Sequence, residues 1–126
     1  MGKSARPQVV YIVEDDDDVR GGFSRLVRSA GLEARPYESA ERFLDEVVDG
    51  ERACILLDIT MPLLTGIQVQ ERLNERHIAL PVITISARDD DETRKMAREL
   101  GARLFLRKPV DDQALLDAIQ WVTTSA

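Results

Sequence analysis

Short apolar runs in this 126-residue chain break off at residues suited to chemistry rather than to packing. Val9 to Val13 leads into Glu14 and Asp15, Ala53 to Leu57 into Asp58, Pro81 to Ile85 into Ser86, and Leu104 to Leu106 into Arg107 and Lys108. Three carboxylates brought together repel one another unless a cation compensates, and hard oxygen donors that leave room for water suit Mg²⁺. With such an ion held, one carboxylate can act as a nucleophile toward an electrophilic phosphorus. An ammonium and a hydroxyl would then hold the oxygens of the transferred group, since transfer of this kind is catalysed by positioning and charge neutralisation. Asp58 is the candidate nucleophile, Glu14 and Asp15 are candidate cation ligands, and Ser86 and Lys108 are candidate oxygen-binding groups. Singly, each has a plainer reading. Glu14 to Asp18 is a run of acids, and Asp16 and Asp17 are expected to cap a helix ahead of Val19.

What could bring these residues together is the arrangement of the runs. Four have strand length, and Leu32 to Tyr37 is a weaker fifth. Between them the spacing predicts helices. Val19, Phe23, Leu26, Val27 and Ala30 mark the first; Ala40, Phe43, Leu44, Val47 and Val48 mark the second, with Ser39 as N-cap. Ile67 and Leu73 give the third a thin stripe introduced by Gly66. Thr93, Met96, Ala97 and Leu100 mark the fourth, with Asp89 to Asp91 at its start and Gly101 as the C′ residue. Leu115, Leu116, Ile119 and Val122 mark the last. Strand and helix alternate five times, which implies a parallel sheet with helices on both faces. Pro36 places the second strand at an edge, as in the flavodoxin-like (βα)5 order 2-1-3-4-5. The carboxyl ends of parallel strands share one rim, and all five candidate residues then lie on it.

Bulk composition narrows the function. Hydrophobic residues at 44% and charged residues at 32% suit one globular domain, and a net charge of -6 argues against nucleic-acid binding by this chain alone. No run approaches the roughly 18 apolar residues of a membrane span, and a cytoplasmic location is expected. The lone Cys54 sits in an apolar run and reads as core packing. Residues 1–7 read as an N-terminal tail and 123–126 as a C-terminal tail or truncated linker.

The elements YIVEDD, ILLDITMP followed by TG, VITISA and RKP, in this order and spacing, resemble the receiver domain of bacterial two-component response regulators over nearly the whole chain. YESAERFL and MPLLTG are similar to its FixJ-like branch, whose members usually carry a helix-turn-helix output domain, absent from this sequence. The resemblance implies a phosphoryl group passed from a sensor histidine kinase or phosphotransfer protein to Asp58. It implies Mg²⁺ held by Asp15, Asp58 and the backbone carbonyl of Thr60, with Glu14 acting through water. It further implies that Lys108 contacts the phosphoryl group, that Ser86 swings toward it, and that Phe105 is an aromatic switch residue. Output would pass through the fourth helix, fifth strand and fifth helix, by phosphorylation-dependent homodimerisation or control of an output such as transcription. Lys108-Pro109 resembles the family's cis peptide. Glu14 stands where many relatives have Asp, and Ser86 where Thr is common; each keeps its functional group. Phe105 replaces the Tyr of some relatives, so a switch here does without a phenolic hydroxyl.

A rival reading is a Mg²⁺-dependent phosphohydrolase of the haloacid-dehalogenase type, which pairs its nucleophile with a second acid in D-x-D. Thr60 stands at that place, so at most slow autophosphorylation and autodephosphorylation are expected, not enzymatic turnover. An adaptor that lost the chemistry would lack an acid or the lysine, and this chain keeps both. His77, without a second nitrogen or sulfur ligand nearby in sequence, reads as a surface residue, and Trp121 as packing or part of a partner surface.

Overall fold

The computed structural model describes residues 8–49, 52–59, 65–87 and 90–124. Ten elements alternate: β1 (Val9–Val13), α1 (Asp17–Ser29), β2 (Glu33–Tyr37), α2 (Ala40–Glu46), β3 (Ala53–Asp58), α3 (Gly66–Glu75), β4 (Val82–Ser86), α4 (Asp91–Glu99), β5 (Ala102–Arg107) and α5 (Asp112–Thr124). The strands are parallel in the order β2-β1-β3-β4-β5, the flavodoxin-like arrangement. Strand β2 is at an edge, where the missing N–H of Pro36 is tolerated.

Every residue of β1, β3 and β4 is buried, because helices cover both faces of the central strands. One core joins Tyr11, Phe43, Ile55, Leu57, Val69 and Leu73 under α2 and α3; the other joins Ile12, Val27, Leu56, Ile83, Leu115 and Ile119 under α1 and α5. Burying a Leu, Ile or Val side chain contributes about 1.5–3 kcal/mol, so these two layers set the sheet's position.

Helix ends follow local chemistry. Asp16 caps α1 by accepting from the Asp18 and Val19 amides, and Ser39 accepts from the Arg42 amide at 3.2 Å. Thr65 and Gln68 form a capping box at α3, which the sequence reading missed. Gly101 follows α4 at φ 105°, as expected of a C′ glycine.

Several boundaries differ from the pattern-based expectation. β3 runs on to Asp58, β4 spans Val82 to Ser86 rather than Pro81 to Ile85, and β5 begins at Ala102. Pairing is a backbone property that a polar side chain does not stop: the Ile59 amide donates to the Ile85 carbonyl and the Lys108 amide to that of Ser86. Helix α2 stops at Glu46, where Val47 turns to extended backbone (ψ 136°) while still packing on the core; Val48 is thereby left 53% exposed. In α4 only Ala97 is fully buried, and Met96 points largely outward. Ala30 is the exposed C-cap of α1 rather than part of its apolar stripe. Helix α5 continues through Thr124, two residues into the stretch read as a tail.

Candidate functional site

The rim at the carboxyl ends of the strands gathers the five predicted residues from four strands. Glu14 and Asp15 follow β1, Asp58 ends β3, Ser86 ends β4, and Lys108 follows β5. One carboxylate oxygen each from Glu14, Asp15 and Asp58 lie within 4.8 Å of one another. Glu14, Asp58 and Ser86 are buried, whereas Asp15 is exposed. Lys108 Nζ reaches between two of the acids, 3.2 Å from Asp58 Oδ2 and 2.8 Å from Glu14 Oε1. Its backbone is fixed by donation to the Ser86 carbonyl at 2.9 Å, and the Lys108-Pro109 peptide is cis. Thr60, the expected carbonyl ligand, lies outside the described residues.

Charge within the cluster is unbalanced. Three carboxylates face a single ammonium, which must serve both the Glu14 and the Asp58 oxygens. Burial pushes the Glu14 carboxyl up to about 7, Asp58 beside it pushes the same way, and Lys108 and the Asp16 amide oppose both. Burial alone would lower the Lys108 ammonium, but Glu14 and Asp58 together raise it, so it stays charged. An under-neutralised set of hard oxygens, buried at Glu14 and Asp58 and open to solvent at Asp15, fits a small divalent cation.

Two elements hold the acids in place, and neither was singled out for that role by residue type. Gly66 begins α3 against the end of β3: a Cβ there would lie 2.4 Å from Ile59 Cα and 2.8 Å from the Asp58 carbonyl oxygen. Arg20, on the first turn of α1, donates to the Glu14 carbonyl at 2.9 Å and pairs with Asp17. A single arginine six residues beyond an acid has no period that would reveal it.

Phe105 lies on β5 opposite Thr84 in register, two residues before the position opposite Ser86. It is partly buried against the α2–α3 core, with the Arg94 guanidinium 5.1 Å from its ring centre. The remaining candidates stay outside the site. Burial pushes the Cys54 thiol up to about 12, which suits a packing role. His77 is exposed at φ 57°, serving as the C′ residue of α3, with the following Ile78 amide donating to the Leu73 carbonyl. Trp121 is 52% exposed on α5, so packing does not account for it. Among the described residues, no helix is long and apolar enough to cross a membrane.

Residues 10–120 match the response regulator receiver domain family. The transcriptional regulatory protein TdiR of Thauera aromatica is 38% identical over 93% of this chain and 52% of its own length. The transcriptional regulatory protein FixJ of Azorhizobium caulinodans is 37% identical over 88% of this chain and 53% of its own. The chain thus spans about half the length of these curated relatives. Among solved structures, a response regulator receiver protein from Burkholderia phymatum superposes with a TM-score of 0.78 at 39% identity, covering 96% of this chain and 98% of that one.

Proposed function

The chain belongs to the response regulator receiver domain family, and from that premise we propose that it accepts a phosphoryl group on Asp58 and acts as a Mg²⁺-dependent switch. The observation that carries this reading is the placement of Asp58: a buried carboxylate at the end of the central strand, 3.2 Å from an ammonium and grouped with two further acids. Asp58 attacks the phosphorus of a phosphohistidine on a sensor kinase or phosphotransfer protein. The P–N bond breaks, the imidazole leaves, and an acyl phosphate forms. Lys108 and Ser86 hold phosphoryl oxygens, Lys108 neutralising charge and Ser86 donating its hydroxyl. Glu14, Asp15 and Asp58 would hold Mg²⁺, which when bound would supply charge neutralisation that one lysine cannot. An apolar groove of about 830 Å³ beside Lys108, lined by Phe23, Leu26, Pro109 and Val110, gives a protein donor a non-polar surface next to the site.

Output follows from differential contact. Phosphoryl oxygens offer Ser86 a partner that the free protein lacks; its movement vacates space on the face that Phe105 shares, and the ring turns inward. The surface formed by α4, β5 and α5 then changes, controlling self-association or an attached output such as transcription. Turnover is limited to slow autophosphorylation and autodephosphorylation, and the setting is the cytoplasm. Incubation with acetyl phosphate and Mg²⁺, followed by intact mass measurement, tests the core of this reading. Wild type should gain one phosphoryl group, and neither Asp58→Asn nor protein with EDTA should. An equal gain in Asp58→Asn would contradict it.

A further inference from the structure

We propose that Arg20 is the positioning residue of the cation site, holding the turn between β1 and α1 so that the Glu14 and Asp15 carboxylates face Asp58 together. This rests on the cation reading given above.

Two backbone ties bound the turn. The Glu14 amide donates to the Tyr37 carbonyl at 3.1 Å, which fixes its entry, and Asp16 caps α1, which fixes its exit. Between them Arg20 reaches the backbone of both acid-bearing residues, while Lys108 meets the Glu14 carboxylate from the other side. Its Nη1 donates to the Glu14 carbonyl at 2.9 Å and, more loosely, to that of Asp15 at 3.5 Å. Carbonyl and amide of a trans peptide point in opposite directions. The peptide joining Asp15 and Asp16 therefore lies between guanidinium and carboxylate, its oxygen toward Arg20 and its N–H donating to Glu14 Oε2 at 3.2 Å. Arg20 thereby helps set the tilt of that peptide, which together with Lys108 orients the Glu14 carboxylate. The side chain is 19% exposed, and its second nitrogen pairs with Asp17, which is 82% exposed. The carbonyl contacts are thus the sheltered part of the interaction and the ion pair the solvated part.

Calorimetric titration with MgCl₂ alone, without a phosphoryl donor, separates the two. Arg20→Ala should weaken Mg²⁺ binding by about tenfold or more, as loss of the group orienting a ligand does. Arg20→Lys, whose ammonium reaches only one carbonyl, should fall between. Asp17→Asn should stay within about twofold, because an exposed ion pair is weak. In Mg²⁺-free protein the Asp16 amide proton should move upfield in Arg20→Ala and stay put in Asp17→Asn, a signature that general loss of stability does not produce. Should Arg20→Ala fail to fold, Arg20→Lys is read by the same two measurements. A folded Arg20 variant with wild-type Mg²⁺ affinity overturns the proposal, as does an equal loss in Asp17→Asn, which would assign the effect to surface charge. A wild type that binds no Mg²⁺ overturns the cation reading itself, whereas wild-type binding with an unaffected variant overturns only the role of Arg20.

Discussion

Strands β3 and β5 both deliver a residue to the site, yet they are built differently. All six residues of β3 are buried and it lies at the centre of the sheet; β5 is an edge strand whose six residues are all intermediate or exposed. Asp58 therefore sits on a foundation packed on both faces. Lys108 and Phe105 sit on one that is covered only in part, with a register irregularity where β4 meets β5 between Val82 and Ile83. A nucleophile needs a fixed position, because misplacement of a reacting group is costly. A responding element needs a second arrangement close in energy. On the function proposed above, the difference between the strands would divide those two tasks.

The largest effect expected from this contrast is on stability. Leu57→Ala, one residue before Asp58 and fully buried, should cost about 2–5 kcal/mol in denaturant melts. Leu104→Ala on β5, only partly buried, should cost less than half as much. Equal losses would erase the distinction. Gly66→Ala strikes the fixed side from outside, since the new Cβ would meet Ile59 backbone at 2.4 Å. It should destabilise by about 1–3 kcal/mol and reduce phosphoryl uptake on Asp58 as the end of β3 shifts.

Acidity sharpens the contrast further. Glu14 is raised from 4.5 to about 7 in the folded protein, chiefly by burial. A carboxyl raised on folding contributes stability that is fully present below its unfolded pKa and lost as pH rises through the folded value. Melting temperature without Mg²⁺ should therefore decline from about pH 5 toward pH 8, through the pH-7 region where Glu14 ionises. Glu14→Gln should flatten that decline, and Mg²⁺ should offset it in wild type but not in the variant. An unchanged slope in Glu14→Gln would place the titration elsewhere.

The smallest effect on stability and chemistry, and the most specific, belongs to Phe105. Phe105→Ala should leave labelling of Asp58 largely intact while weakening the association response to beryllofluoride with Mg²⁺, read by sedimentation. An unchanged response would make the ring packing alone.

Legibility from sequence followed the same division. The central strands and their terminal acids were readable because double-sided burial demands unbroken apolar runs, so Glu14, Asp58, Ser86 and Lys108 each stood out where a run ended. Pro36 gave the edge strand by its missing donor. Harder to read were features set by tertiary fit. The close approach of Gly66 to Ile59, the carbonyl clamp by Arg20 and the capping box of Thr65 with Gln68 depend on neighbours that no single period encodes. Met96 and Val48 follow helical spacing and are nonetheless exposed, because α4 covers only part of the β5 edge and α2 ends two residues early.

The central claim, that chemistry is fixed on the buried strands and response is carried at the sheet's edge, is tested most directly by amide hydrogen exchange with Mg²⁺ in the presence and absence of beryllofluoride. Exchange should change most in α4 and β5, residues 91–107, while the amides of β1 and β3 stay protected in both conditions. A change concentrated in β1 and β3, or none in β5, would contradict the account.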